Sequence, residues 1–109
     1  EYPGVYAIGD ATAIPLANGM PLPKAGLFAE KEGEAAAARI AATLRGKPAT
    51  AFFDGQGTCY LEVGDGEAST VSGDFFADPP EVALSPPTSG QRAAKERFEM
   101  DRLSRWFGG

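Results

Sequence analysis

The chain has 109 residues, 43% hydrophobic and 10% aromatic, with 14 Gly, 9 Pro and a net charge of −5. That length suits one small domain with a modest core, and the composition is that of a turn-rich globular protein rather than a disordered one. One Cys and no His exclude an internal disulfide, the usual His/Cys zinc sites and a Ser-His-Asp triad.

The charge is uneven along the chain. Residues 1–47 balance five acids against five bases, 48–91 carry seven acids and no base, and 92–109 carry five bases and three acids. Such a middle repels nucleic acid, so no nucleic-acid partner is expected, and only the tail favours an anionic surface. No stretch reaches the roughly 20 apolar residues that a membrane-spanning helix needs. The opening EYPGVYAIGD lacks an initiator Met and carries a strand signal from its fourth residue. It reads as internal sequence of a longer polypeptide.

Gly4-Val5-Tyr6-Ala7-Ile8-Gly9-Asp10 is a short apolar run between Pro3 and a Gly-Asp pair, as expected of a buried parallel strand ending in a tight turn. Residues 11–23 read as loop, broken by Pro15, Asn18-Gly19, Pro21 and Pro23. From Lys24 to Arg45 the Ala-rich, Pro-free sequence predicts a helix closed by Gly46-Lys47-Pro48. Gly26 and Gly33 weaken it by about 1 kcal/mol each relative to Ala, which suggests close backbone packing against a neighbour or ligand.

Past Pro48 the period changes to two, with Cys59, Leu61 and Val63 on one strand face and Tyr60 and Glu62 on the other. Gly64-Asp65-Gly66 predicts a hairpin turn, with residues 67–73 as the returning strand. Ala51-Phe52-Phe53 and Val82-Ala83-Leu84 are expected to add short strands to the same antiparallel sheet. Thr88 or Ser89 caps a last helix over Gln91–Phe107. Met100, Leu103 and Phe107 make its apolar stripe, with Trp106 beside them, and this stripe is expected to pack on the hairpin.

A strand ending in Tyr-Ala-Ile-Gly-Asp, then a loop, then Pro23-Lys24-Ala25-Gly26 at a helix start resembles the second FAD-binding motif of flavoproteins with two dinucleotide-binding domains. The later stretches Gly57-Thr58-Cys59-Tyr60-Leu61-Glu62 and Arg105-Trp106-Phe107 narrow the resemblance to the sulfide:quinone-reductase-like branch of the FAD-dependent pyridine-nucleotide-disulfide oxidoreductases. The resemblance implies an α+β fold in which residues 1–47 are the end of an FAD-binding α/β domain. Residues 48–109 would then form a carboxy-terminal domain with a small antiparallel sheet and an amphipathic helix.

The resemblance further implies that FAD is the cofactor, with Gly9 letting its chain approach the backbone and Asp10 accepting from a ribityl hydroxyl. Lys24, Ala25 and Gly26 would bring a positive helix end and an ammonium to the flavin edge. Cys59 would be one of two redox thiols, although a lone Cys sharing a strand face with Leu61 and Val63 is more often a small buried hydrophobe. No metal site is expected. The implied activity passes electrons from a sulfur species or NADH through FAD to a quinone-like acceptor, and cytochrome-linked sulfide dehydrogenases are a related alternative. The expected location is cytoplasmic, with peripheral membrane contact through residues 91–107, and the remainder of the parent chain is the principal partner. By itself this piece is expected to be inactive and colourless. Gly4–Ile8 pairing with a second copy would give a homodimer. The alternative from another class is a non-catalytic partner-binding or dimerisation module.

Overall fold

The computed structural model describes residues 2–108. Helix α1 spans Gly26–Leu44, strands β1, β2 and β3 span Gln56–Gly64, Glu67–Asp74 and Glu81–Leu84, and helix α2 spans Ser89–Phe107. The strands form one antiparallel sheet in the order β1-β2-β3, so the chain is mixed α+β with the expected small sheet and closing helix. It divides into two units, one made of Glu1–Gly57 and Gly73–Glu81, the other of Thr58–Ser72 and Val82–Gly109.

In the first unit α1 forms where the sequence is rich in Ala and free of Pro, within two residues of the expected limits. Its end is set by Gly46 at φ +68°, which lets the Lys47 amide turn back and donate to Ala42 O at 2.9 Å. Phe28 on α1 is 1% exposed and meets the ring of Phe53 at 5.6 Å and that of Phe75 at 5.0 Å, both edge-on. Phe53 in turn lies 5.3 Å from Phe76. Gly57 is required beside this cluster, because a Cβ there would run into the Phe28 ring.

Two segments expected as strands enter no ladder. Residues 5–8 carry no regular structure, although Ile8 has extended backbone at φ −137° and ψ 163°, and Val5, Tyr6 and Ile8 are exposed. A parallel strand needs a neighbour on at least one edge, and among the described residues none lies alongside. Residues 51–53 are likewise irregular, because Phe53 is drawn into the ring cluster and the Ala51 carbonyl accepts from Arg39 Nη1 at 2.9 Å. Conversely, the expected loop contains a miniature hairpin, in which Pro15 and Pro21 form an antiparallel bridge around the Asn18-Gly19 turn.

In the second unit Asp65 and Gly66 both take positive φ, 51° and 73°, the pair a tight hairpin turn between twisted strands requires. Ser85 N–H donates to Thr70 O, and its hydroxyl accepts from Thr70 N–H, both at 2.8 Å. Ala68 and Thr88 exchange backbone hydrogen bonds at 3.0 Å. Thr88 then changes role. Its Oγ1 accepts from Gln91 N–H at 3.0 Å and caps α2, so the last sheet pairing and the helix start share one residue.

Helix α2 meets the hairpin by a different face from the expected one. Phe98 faces the Tyr60 ring at 6.1 Å, and Glu62 receives Lys95 Nζ at 2.8 Å with Arg92 Nε at 3.4 Å. The guanidinium of Arg102 stacks 4.1 Å above Phe98. Met100, Leu103, Trp106 and Phe107 are all exposed. The short Arg92-Lys95-Phe98-Arg102 stripe wins because it supplies two cations for Glu62 and one ring for Tyr60, with alkyl stems covering the rest. Among the described residues, no helix is long and apolar enough to cross a membrane.

Candidate functional site

The Gly-Asp pair follows the extended Ile8 in a single 3-10 turn, Gly9–Ala11, which packs against α1. Gly9 takes φ +62°, a backbone state that a side chain would strain. A Cβ there would also come within 3.3 Å of Ala29 Cβ, so the turn lies almost on the helix backbone. One residue earlier, Ile8 Cδ1 passes 3.5 Å from where a Cβ of Gly33 would stand. The close approach suggested by Gly33 is thus made by the chain's own Ile8, while Gly26 faces open space.

Every backbone polar group of Gly9 is engaged. Its N–H donates to Glu32 Oε2 at 3.0 Å, and its carbonyl accepts from Thr12 N–H at 3.0 Å and Thr12 Oγ1 at 2.7 Å. Lys24 Nζ reaches across to donate to the Asp10 carbonyl at 2.7 Å. Asp10 itself is exposed. The first turn of α1 has neither an acidic residue nor a side-chain cap, since Ala25 stands at the cap position. Its leading N–H groups therefore have no side-chain acceptor at the cap, and Ala25 lines the same cleft as Asp10 and Lys24.

Of the residues the sequence singles out, Gly9, Asp10, Lys24 and Ala25 line one cleft, with Thr12, Leu22, Phe28 and Glu32. Gly26 follows directly as the first residue of α1. The cleft holds about 10 Å³, room for a water at most. Anything larger that used these residues would lie across its mouth, where Asp10 and Lys24 are exposed. Sequence reasoning overlooked Glu32, which is only 8% exposed. The signal was the i, i+4 spacing from Phe28, which puts Glu32 on the covered stripe of α1.

A second, open groove of about 360 Å³ starts on the other side of Glu32. Tyr6, Ile8, Phe52, Phe53 and Arg39 are among its walls, so it is mainly apolar with one carboxylate and one guanidinium. Cys59 lies in β1, in the second unit. It is buried, and burial pushes its thiol above the ordinary pKa. At neutral pH it stays protonated and a weak nucleophile. Leu61 and Val63, expected on its face, are exposed, because the covered part of β1 ends at Tyr60.

The residues present fit a polar cofactor with hydroxyl groups and an electron-rich edge. Asp10 offers an acceptor-only carboxylate, Lys24 has N–H groups beyond the one it gives to Asp10, and the uncapped helix end offers more donors. No family model, no curated protein and no solved structure matches the chain.

Proposed function

We propose that the chain is the FAD-contacting, carboxy-terminal part of a flavin-dependent oxidoreductase that passes electrons from NADH or a sulfur species to a quinone-like acceptor. The observation that carries this reading is the seating of the Gly9–Ala11 turn on α1, with Lys24 bridging to the Asp10 carbonyl and the Asp10 carboxylate left exposed at the uncapped helix end.

FAD, when bound, supplies the two-electron transfer between donor and acceptor. Asp10 would hold it by accepting from hydroxyl groups of its ribityl chain, while Gly9, whose missing Cβ lets the turn seat against Ala29, holds Asp10 in place. The first turn of α1 and Lys24 would set positive potential beside the cofactor's electron-rich edge. Burial of the Cys59 thiol favours NADH over a sulfur donor, since a sulfur route needs an accessible thiolate.

The test uses the polypeptide that carries this chain. It should copurify with one flavin absorbance per chain, and Asp10→Ala should weaken FAD affinity about ten- to a hundredfold, the usual loss for a hydrogen bond to a charged group. Absence of flavin, or an Asp10→Ala variant that binds it normally, would overturn the reading. Cys59→Ser should leave donor-dependent acceptor reduction intact; loss of sulfide-dependent turnover would restore the sulfur route.

One observation favours a second use of the molecule. Met100, Leu103, Trp106 and Phe107 stand exposed together on the last two turns of α2, as an interaction module would present them.

A further inference from the structure

We infer that Glu32 is the positioning residue of the Gly9–Asp10 turn, fixing the Gly9 amide and thereby where the Asp10 carboxylate stands. The inference rests on the proposed reading of Asp10 as a cofactor contact, but it concerns a residue and a bond of its own.

Four observations lead there. A carboxylate in the middle of a helix is ordinarily solvated, yet Glu32 is 8% exposed. Covering it is costly unless a donor meets it, and the protein donor that does so is Gly9 N–H, 23 residues away in sequence. The helix surface around it is cut down to admit the turn, with Ala29 on one side and Gly33 on the other. Glu32 also forms part of both the cleft under the turn and the open groove, so its position decides how the wall between them is built.

Two long-range tethers hold this turn, and their settings differ. Lys24 Nζ to Asp10 O is exposed, where water competes and the net worth of such a bond is small. Gly9 N–H to Glu32 Oε2 is partly buried, so water competes less for it and losing it would leave a covered acceptor without a donor. The Glu32 bond therefore sets the position, and the Lys24 bond follows it. Local bonds from Thr12 close the turn on itself but fix it to nothing outside residues 9–12.

What Glu32 must supply is an oxygen at one place, and this can be separated from what its charge supplies. Glu32→Gln keeps the length and an acceptor oxygen while removing the charge. Glu32→Asp keeps the charge but withdraws the oxygen by one methylene.

If Glu32 acts by position, Glu32→Gln leaves hydrogen–deuterium exchange of the Gly9 amide close to wild type, and Glu32→Asp speeds it about tenfold or more. FAD affinity of the polypeptide that carries this chain should follow the same order, retained in Glu32→Gln and about tenfold weaker in Glu32→Asp. The reverse order, with Glu32→Asp normal and Glu32→Gln impaired, would show that the charge matters instead and would overturn the inference. Unchanged Gly9 exchange in both variants would overturn it as well. Should the wild-type polypeptide take up no FAD, the cofactor reading fails alone, and the Gly9 exchange rates still decide the role of Glu32. Should Asp10→Ala lose FAD while Glu32→Asp keeps it, the cofactor reading stands and this inference falls.

Discussion

The first unit hides Phe28, Phe75 and Leu22, whereas the second hides Cys59, Ala68, Ser69 and Thr70. The contrast is one of means. A buried Phe contributes about 1.5–3 kcal/mol by leaving water, and more when rings meet edge-on as Phe28 does with two others. Small residues contribute little in this way. The second unit relies instead on its backbone ladder, the Thr88 cap and the ion pairs of Glu62. Where burial is concentrated in one ring, a single truncation is ruinous; where it is spread over small groups and exposed bonds, each loss is modest.

Phe28→Ala tests this contrast most severely. It should cost about 3–5 kcal/mol, read as a drop in the urea midpoint at constant slope. A loss below about 1 kcal/mol would mean that the ring cluster is not the anchor of the first unit. Next comes Ala68→Leu in the second unit. Ala68 is fully covered, so the larger side chain should destabilise by about 1–3 kcal/mol through overpacking. Thr88→Ala should cost about 1 kcal/mol by uncapping α2, seen as reduced helical ellipticity on mild heating.

The smallest effect concerns pH. The hydrogen bond from Lys95, then the charges of Lys95 and Arg92, hold the Glu62 carboxyl below its usual range. A carboxyl whose folded pKa is depressed adds stability above its unfolded value, about 4.3, and that stability disappears as pH falls through the folded value. Because the pair is exposed, the change should be slight and weaker still in high salt. An acid titration of stability that is identical in wild type and Glu62→Gln would show that these pairs contribute nothing.

What the sequence made legible were features written in neighbouring residues. Gly46-Lys47-Pro48 ended α1, Gly64-Asp65-Gly66 turned the hairpin, and Thr88 capped α2, each because local backbone sterics or one side-chain oxygen decides the outcome. Features decided by distant partners were not legible. Residues 5–8 have the composition of a buried strand, but a ladder needs a second chain segment that local composition does not specify. The α2 stripe had good spacing at Met100, Leu103 and Phe107, yet Glu62 and Tyr60 chose the Arg92, Lys95 and Phe98 face. At the candidate site, Gly9, Asp10, Lys24 and Ala25 could be singled out by motif. Glu32 stayed hidden because a charged residue among alanines looks like helix surface until the turn that covers it is placed.

The exposure of Trp106 has a practical consequence for anyone following this protein by light. It is the only indole in the chain and stands 57% exposed near the end of α2. Its emission in the folded state should already be red-shifted and open to a soluble quencher such as iodide, so denaturation of the Phe28 cluster would pass almost unnoticed in that channel. What the indole reports well is something arriving at the last turns of α2: a blue shift with loss of quenching there would register a bound surface even when every other spectroscopic signal stayed still.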